Sequence, residues 1–239
     1  MRYLDKTFST PEENLASDEA LLIVCEEGNA DELLRFWEAQ QYFVVLGSSK
    51  RVKEEVNVEA CEADGIPILR RHSGGGTVLQ GPGCLSYSLI LKIDATGPTR
   101  NITETTHYVL QRHAEALTTL LGEKVEMRGS GDLTIAERKF SGNAQRRKLH
   151  ALLFHGTFLL NFDLELIEKY LKIPPKQPEY RRRRSHLEFV RNIGLSSENI
   201  RERLRAEWLA KEELDVAPMK KIQELVQTKY SLRQWNEKL

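Results

Sequence analysis

The chain has 239 residues, 40% of them hydrophobic, and its 35 Lys+Arg balance its 35 Asp+Glu to a formal net charge of zero. That length suits one large domain, or one domain with an appendage, and the lack of a basic excess argues against a nucleic-acid partner, because phosphate backbones are held by surplus cations. No charged-then-apolar leader and no apolar run of membrane-spanning length is seen, so no membrane partner is expected, and a cytoplasmic protein is; the three cysteines, Cys25, Cys61 and Cys84, are too scattered for a disulfide framework or a zinc site.

Residues 11–27 predict a helix: Pro11 and two acids fill the first turn, and Ala16, Ala20 and Ile23 recur at helical spacing. Leu33 to Glu38 and Tyr42 to Leu46 predict two strands joined by a polar turn. Residues 51–64 predict one charged amphipathic helix ended by Gly65. A short strand, residues 66–73, runs into a glycine loop, and a strand over 84–93 leaves it. A long helix follows over 101–121, with Asn101 or Thr103 as its cap. Residues 132–163 predict a three-stranded meander with turns at Ala136-Glu137 and near Arg147. Residues 163–173 predict a helix stopped by Pro174 and Pro175. The basic stretch 176–192 predicts a loop, and from 197 onward the chain predicts helices. Hairpins outnumber strand-helix-strand units, which implies an α+β fold with a mixed, mostly antiparallel sheet flanked by helices.

The chemistry concentrates around "RRHSGGGTV", residues 70–78. Three consecutive glycines cost backbone entropy on folding. Strand, Gly-Gly-Gly, strand is neither a dinucleotide fingerprint nor a Walker loop, since no helix and no Gly-Lys-Ser/Thr follow. Such a bare backbone lets main-chain amides converge on an anion, and because Arg70 and Arg71 alternate along a strand, one of them can face the same pocket. A glycine-rich hairpin with two solvated arginines is the plain alternative. Further on, "KFSGNA" places Lys139 in a strand before Ser141, Gly142, Asn143 and Ala144, and "HGT" places His155, Gly156 and Thr157 on the next strand.

Arg-Arg-x-Ser-Gly-Gly-Gly, then Asp-Leu, Lys-Phe-Ser-Gly-Asn-Ala and His-Gly-Thr, in that order, resemble the lipoate–protein ligase family, which shares its catalytic fold with biotin–protein ligases and octanoyltransferases. The resemblance covers roughly residues 1–195 and implies a catalytic domain there, with residues 196–239 a helical extension packed on it. It implies that lipoate or octanoate is activated with ATP and Mg2+ to an acyl-adenylate, and that the acyl group passes to one lysine of a lipoyl-carrier domain, of the glycine-cleavage H protein or a 2-oxoacid dehydrogenase E2. A separate accessory polypeptide is a further implied partner. Carried over by motif, Arg70, Arg71, Ser73, Gly74, Gly75, Gly76, Thr77 and Val78 line the acyl and phosphate site. Lys139 contacts the acyl carbonyl and the phosphate oxygens, and Asp132 lies near nucleotide and metal. Ser141 to Ala144 wall the tunnel, with His155, Gly156 and Thr157 beside it. The run Arg181 to Arg184 falls where the family places its adenylate-binding loop. This chain has Gln80-Gly81-Pro82-Gly83-Cys84 where many members have His-Asp-x-Gly-Asn, so its adenylate chemistry differs in detail.

The alternative enzyme is an acyltransferase working through a cysteine thioester, which needs a thiol of low pKa in the pocket. The stretches where transferases of this fold carry that cysteine have none here, and Cys84 is the one cysteine near the site. A non-catalytic carrier-binding module is the third reading, and an intact Lys139 and glycine loop speak against it.

Overall fold

The computed structural model describes residues 1–214 and 216–238. Local signals set most of its elements. Helix α1 (Pro11–Glu26) follows strand β1 (Arg2–Asp5) and starts at a capping box, in which the Thr10 side chain accepts from the Glu13 amide and Glu13 returns to Thr10. Strands β2 (Leu33–Glu38) and β3 (Phe43–Leu46) come next. The helix expected over 51–64 is two, α2 (Val52–Glu55) and α3 (Val58–Ala63), because Val56 turns to extended backbone and bridges Leu171. Strands β4 (Ile68–Arg70), β5 (Val78–Gln80) and β6 (Cys84–Lys92) follow, so the glycine loop returns through a short strand before the long one. Helix α4 (Ile102–Leu121) takes Asn101 as its cap and ends at Gly122 in the left-handed region.

Strands β7 (Glu126–Arg128), β8 (Asp132–Ile135), β9 (Arg138–Arg147) and β10 (Ala151–Leu159) continue the chain. Ala136 and Glu137, both at positive φ, make the tight β8–β9 hairpin. Helices α5 (Leu164–Tyr170), α6 (His186–Phe189) and α7 (Ser197–Glu207), strand β11 (Glu212–Glu213), and helices α8 (Met219–Leu225) and α9 (Arg233–Asn236) complete it. No helix among the described residues is long and apolar enough to cross a membrane.

The large sheet has eight strands in the order β11-β1-β2-β6-β10-β9-β8-β7; β1 is parallel to both its neighbours and the other pairs are antiparallel. A second sheet, β4-β3-β5, has three strands. Strands β2 and β3 therefore do not form the expected hairpin: β2 pairs with β1 and β6, and β3 with β4 and β5.

Alternation along the strands sends side chains to two cores. Leu34, Phe36, Tyr87, Leu89, Phe154 and Phe158 pack with α4 and with Ile200 and Leu204 of α7. Leu33, Trp37, Ile90 and Leu153 face α1, and Ile222 and Leu225 of α8 join them. A third cluster joins β3 to α3 and α5 through Val44, Leu46, Cys61 and Ile167. The fold is thus the α+β arrangement of a mixed sheet between helices.

Candidate active site

A cavity of about 740 Å³ opens between the α1 side of the large sheet and the small sheet. Its floor follows from strand register. Trp37, Ser86, Thr157, Gly142 and Asp132 stand opposite one another across β2, β6, β10, β9 and β8. Two residues along, Arg35, Ser88, His155 and Ala144 form the next row. Directly paired residues share a face, so motifs far apart in sequence become neighbours.

Arg71 explains the glycine loop. Its guanidinium is buried and donates to the carbonyl oxygens of Gly74 (2.6 Å) and Gly76 (2.8 Å) and, through Nε, to Ser73 Oγ (3.0 Å). A Cβ on Gly75, at φ +91°, would stand 2.8 Å from that guanidinium. In a trans peptide the N–H points opposite the C=O, so the amides of Gly75 and Thr77 point away from Arg71. Burial pushes Arg71 down to about 10, with Glu55 the acid that offsets it.

Arg70 does not join the site, which corrects the expectation. It faces the other way, fully buried, and donates to carbonyl oxygens of Gly47, Lys50, Trp235, Asn236 and Lys238. Ser73 and Gly74 sit behind the cavity wall, bonded to Arg71, whereas Gly75, Gly76, Thr77 and Val78 line it.

His155 links the loop to the core. Its Nε2 lies 2.6 Å from Ser73 Oγ and its Nδ1 3.5 Å from Asp18 Oδ2. Asp18 is in turn ion-paired with Arg35 at 2.5 Å, both buried. Burial works to raise the Asp18 carboxyl, but the Arg35 guanidinium and His155 hold it below the ordinary value. Burial lowers His155 in spite of Asp18. A neutral ring with Nδ1–H toward Asp18 leaves Nε2 to accept the Ser73 hydroxyl. Sequence reasoning missed Asp18 and Arg35. Their signal was an acid at the Leu15/Leu22 helical spacing and a cation inside the apolar strand Leu33–Trp37.

Lys139 and Asp132 meet on the floor at 2.7 Å, both partly buried. The amine lies over Gly142, where a Cβ would stand 2.7 Å from Nζ. Asn143 accepts from the Tyr87 hydroxyl at 2.6 Å, and a Cβ on Gly156 would collide with that amide oxygen. The glycines of Ser-Gly-Asn and His-Gly-Thr thus clear space for two polar side chains. Tyr180 donates to Asp132 Oδ2 at 2.6 Å, and burial together with that carboxylate raises the Tyr180 hydroxyl well above its ordinary range.

The stretch expected as a loop over 176–192 holds α6 and then meets β9 in one parallel bridge, Val190 to Lys139, where Arg191 N donates to Lys139 O. Within the arginine run, Arg182 and Arg183 take positive φ, and Arg184 donates to carbonyl oxygens of Glu137 and Tyr180. Arg181 alone of the four lines the cavity; it lies over the Phe189 ring, and its Nη2 is buried without a partner.

Among the described residues no cluster of three or more His, Cys, Asp or Glu could hold a metal. Asp132 supplies a single carboxylate, which fits Mg2+ carried on nucleotide phosphates rather than a site made by the protein alone. Cys25, Cys61 and Cys84 are all buried and none lines the cavity. Burial pushes the Cys84 thiol up to about 12 and Cys61 up to about 11.

Residues 10–207 match the family model described as the lipoyl protein ligase A/B catalytic domain. Lipoate–protein ligase 1 of Staphylococcus aureus is 30% identical over 189 residues, covering 79% of this chain and 55% of that protein. Octanoyltransferase LipM of Geobacillus kaustophilus is 28% identical over 205 residues, covering 77% and 73%. The chain thus spans about half the length of that ligase. Among solved structures, the bipartite lipoate protein ligase of Thermoplasma acidophilum, described with its E2 lipoyl domain, superposes with a TM-score of 0.82 at 25% identity, covering 99% of this chain and 95% of that one. A lipoate-protein ligase A bound with ATP shares the fold with a TM-score of 0.83 at 23% identity, covering 99% and 98%.

Proposed function

Since the chain belongs to the lipoyl protein ligase A/B catalytic-domain family, we propose that it activates lipoate or octanoate with ATP to an acyl-adenylate and transfers the acyl group to a lysine of a lipoyl-carrier domain. The observation that carries this reading is the Lys139 amine, held by Asp132 over Gly142 inside a cavity rimmed by the glycine loop. In the first step an acyl carboxylate oxygen bonds the α-phosphorus while the bond to pyrophosphate breaks. Two anions must meet, so fixed cations lower the barrier. Lys139 offers a compact charge and Arg181 a guanidinium whose Nη2 has no partner, while the Gly75 and Thr77 amides add oriented donors. Magnesium brought in with the nucleotide would neutralise phosphate charge, with Asp132 as its protein ligand. In the second step the carrier amine attacks the acyl carbonyl, the anhydride C–O bond breaks, AMP leaves and the amine's extra proton passes to water. Positioning carries that step.

The carrier is a lipoyl domain such as that of H protein or an E2, and a separate accessory chain is a candidate partner. In support, the Thermoplasma ligase is a bipartite system described with an E2 lipoyl domain. Pyrophosphate release dependent on lipoate or octanoate tests the reading. Lys139→Ala should slow it by 100-fold or more, as loss of a preorganised charge does. No release with either acid, with or without a candidate accessory chain, would end it.

A second reading is favoured by the octanoyltransferase relative: octanoyl transfer from an acyl carrier protein. It requires an ionisable thiol at the cavity; Cys25, Cys61 and Cys84 are buried and none lines it, Cys84 meeting the wall through Thr157 and Leu159.

A further inference from the structure

The glycine loop is gripped from two sides. Arg71 and Ser73 turn to the cavity side, and the residues alternating with them, Arg70 and His72, turn away from it and are buried. What these two meet is the segment 229–238. Strand β4 is an edge of the small sheet, and the main-chain N–H and C=O of Arg70 point away from β3. Two side chains of α9 cover that edge. Asn236 Oδ1 accepts the Arg70 amide at 3.0 Å, and the Trp235 indole donates to the Arg70 carbonyl at 2.8 Å. Uncovered, both groups would be buried without partners. The Arg70 guanidinium completes the grip, donating to the Trp235, Asn236 and Lys238 carbonyls on one side and to those of Gly47 and Lys50 on the other. Gly47 is the base on which the loop rests, since a Cβ there would collide with the Gly75 carbonyl.

His72 is the second point of grip. A π-helical turn after α8, Val226–Tyr230, brings Lys229 and Tyr230 to Glu19 of α1, at 2.7 Å each. The buried Tyr230 hydroxyl also faces His72 Nδ1 at 3.4 Å. Asn236 Nδ2 donates to Tyr230 O, and Lys229 and Lys238 lie over the Trp235 ring, which ties the two grips into one unit. Adjacent acids of α1 thus serve both sides of the loop: Asp18 through His155 to Ser73, and Glu19 through Tyr230 to His72.

Three glycines leave the loop little stiffness of its own, and oriented amides help an anion only if they are in place before it arrives. Taking the loop's ligands from the reading above, we propose that residues 229–238 form a strap that positions the glycine loop, with Tyr230, Trp235 and Asn236 as positioning residues for a cavity that none of them lines. Apparent affinity scales with the fraction of chains whose loop is in its binding place, and the strap sets that fraction.

Amide hydrogen exchange of the full chain, without ligand, tests it. The Arg71 amide donates to Leu46 O and the Ser48 amide to Ser73 O, so both report where the loop sits, and neither bonds the strap. In a chain with Trp235→Phe and Asn236→Ala both should exchange roughly ten-fold faster or more, since each lost bond is worth up to about ten-fold, while the amides of β10 keep their rates. Asn236→Asp retains the acceptor and should restore most of the protection that Asn236→Ala loses. Tyr230→Phe should loosen the same two amides and carries the test if the double variant does not fold. In pyrophosphate release, KM for ATP and acid should rise with kcat kept within about two-fold, because saturating ligand draws the loop back into place. Exchange at Arg71 and Ser48 that is unchanged, or raised no more than in β10, overturns the proposal. So does a loss of kcat at unaltered KM, the mark of chains lost to unfolding. If the unaltered chain releases no pyrophosphate, the reading of function falls, and the exchange comparison, which needs no ligand, still decides whether the strap holds the loop.

Discussion

His72 and His113 are both pushed down to about 3 by burial, and His155 is lowered too, with burial the main cause. His113 accepts the Trp208 indole N–H at 2.8 Å, which only an unprotonated nitrogen can do. An unfolded histidine takes a proton near pH 6.5. Between about pH 6.5 and 3 the unfolded chain therefore binds protons at His72 and His113 that the folded chain refuses, and stability falls as pH is lowered through that window, by about 1.4 kcal/mol per pH unit for each of these two, with His155 adding in the same direction. Asp18, with its depressed carboxyl, adds a second loss of stability below about pH 4. Urea unfolding midpoints should drop steadily from pH 7 to pH 5; a flat midpoint over that range would show that these rings titrate normally. At this scale the sequence was legible where a motif states its chemistry. Arg71, Lys139, Asp132, His155 and the loop glycines gather around one cavity or its immediate wall. Alternation gave the opposite facing of Arg70 and Arg71 but not which one faced inward, since that depends on the β4–β3 pairing and on residues 235–238. Asp18 and Arg35 went unread because each is ordinary alone and they meet only through the fold.

The β8–β9 hairpin carries Lys139 and Asp132 on its two arms, so its turn governs their approach. That turn is Ala136-Glu137, with φ +49° and +60°. Left-handed backbone is unfavourable for residues with a Cβ by about 1 kcal/mol each, and a two-residue turn of this kind prefers Asn-Gly. Ala136→Asn with Glu137→Gly should raise stability by about 1 kcal/mol in chemical denaturation and leave pyrophosphate release within two-fold, because neither side chain lines the cavity. A destabilised double variant would mean that the ion pair of Glu137 with Arg182 matters more than the backbone. Elements with local signals were legible: α1 with its capping box, α4 between Asn101 and Gly122, and the hairpin itself. Those that exist only through pairing were not. Strands β1, β5, β7 and β11 are four residues or shorter, too short for periodicity to register. The separation of β2 from β3 into two sheets was hidden for the same reason, as a polar link reads alike whether its flanking strands pair or part.

Across the whole molecule, the surroundings of the thiols and of the cations point the same way. The cavity wall brings Lys139, Arg71 and Arg181 from three separate segments around one space, while Cys25, Cys61 and Cys84 are each buried off the wall, Cys25 and Cys61 in apolar packing and Cys84 behind Thr157. A thioester route needs a thiolate, and burial pushes Cys84, next to the site in sequence, up to about 12, so its ionised fraction at neutral pH is negligible. Its Cα partner across the sheet is Leu159, and it packs in the cluster with Leu46 and Phe162. Replacing all three cysteines, by Ala at 25 and 61 and by Ser at 84, should therefore leave ATP-dependent acyl transfer within a few-fold of the unaltered protein. Any loss should appear as lowered stability of about 1–3 kcal/mol from the altered packing, measured by denaturant unfolding alongside the rate. A thioester mechanism predicts the reverse. One cysteine would then be indispensable, and incubation with octanoyl-loaded acyl carrier protein without ATP would add an octanoyl mass to the chain. Intact-mass measurement after that incubation decides between them: an adduct mapped to Cys84, with a Cys84→Ser chain that folds but transfers nothing, would replace the adenylate route with the thioester one.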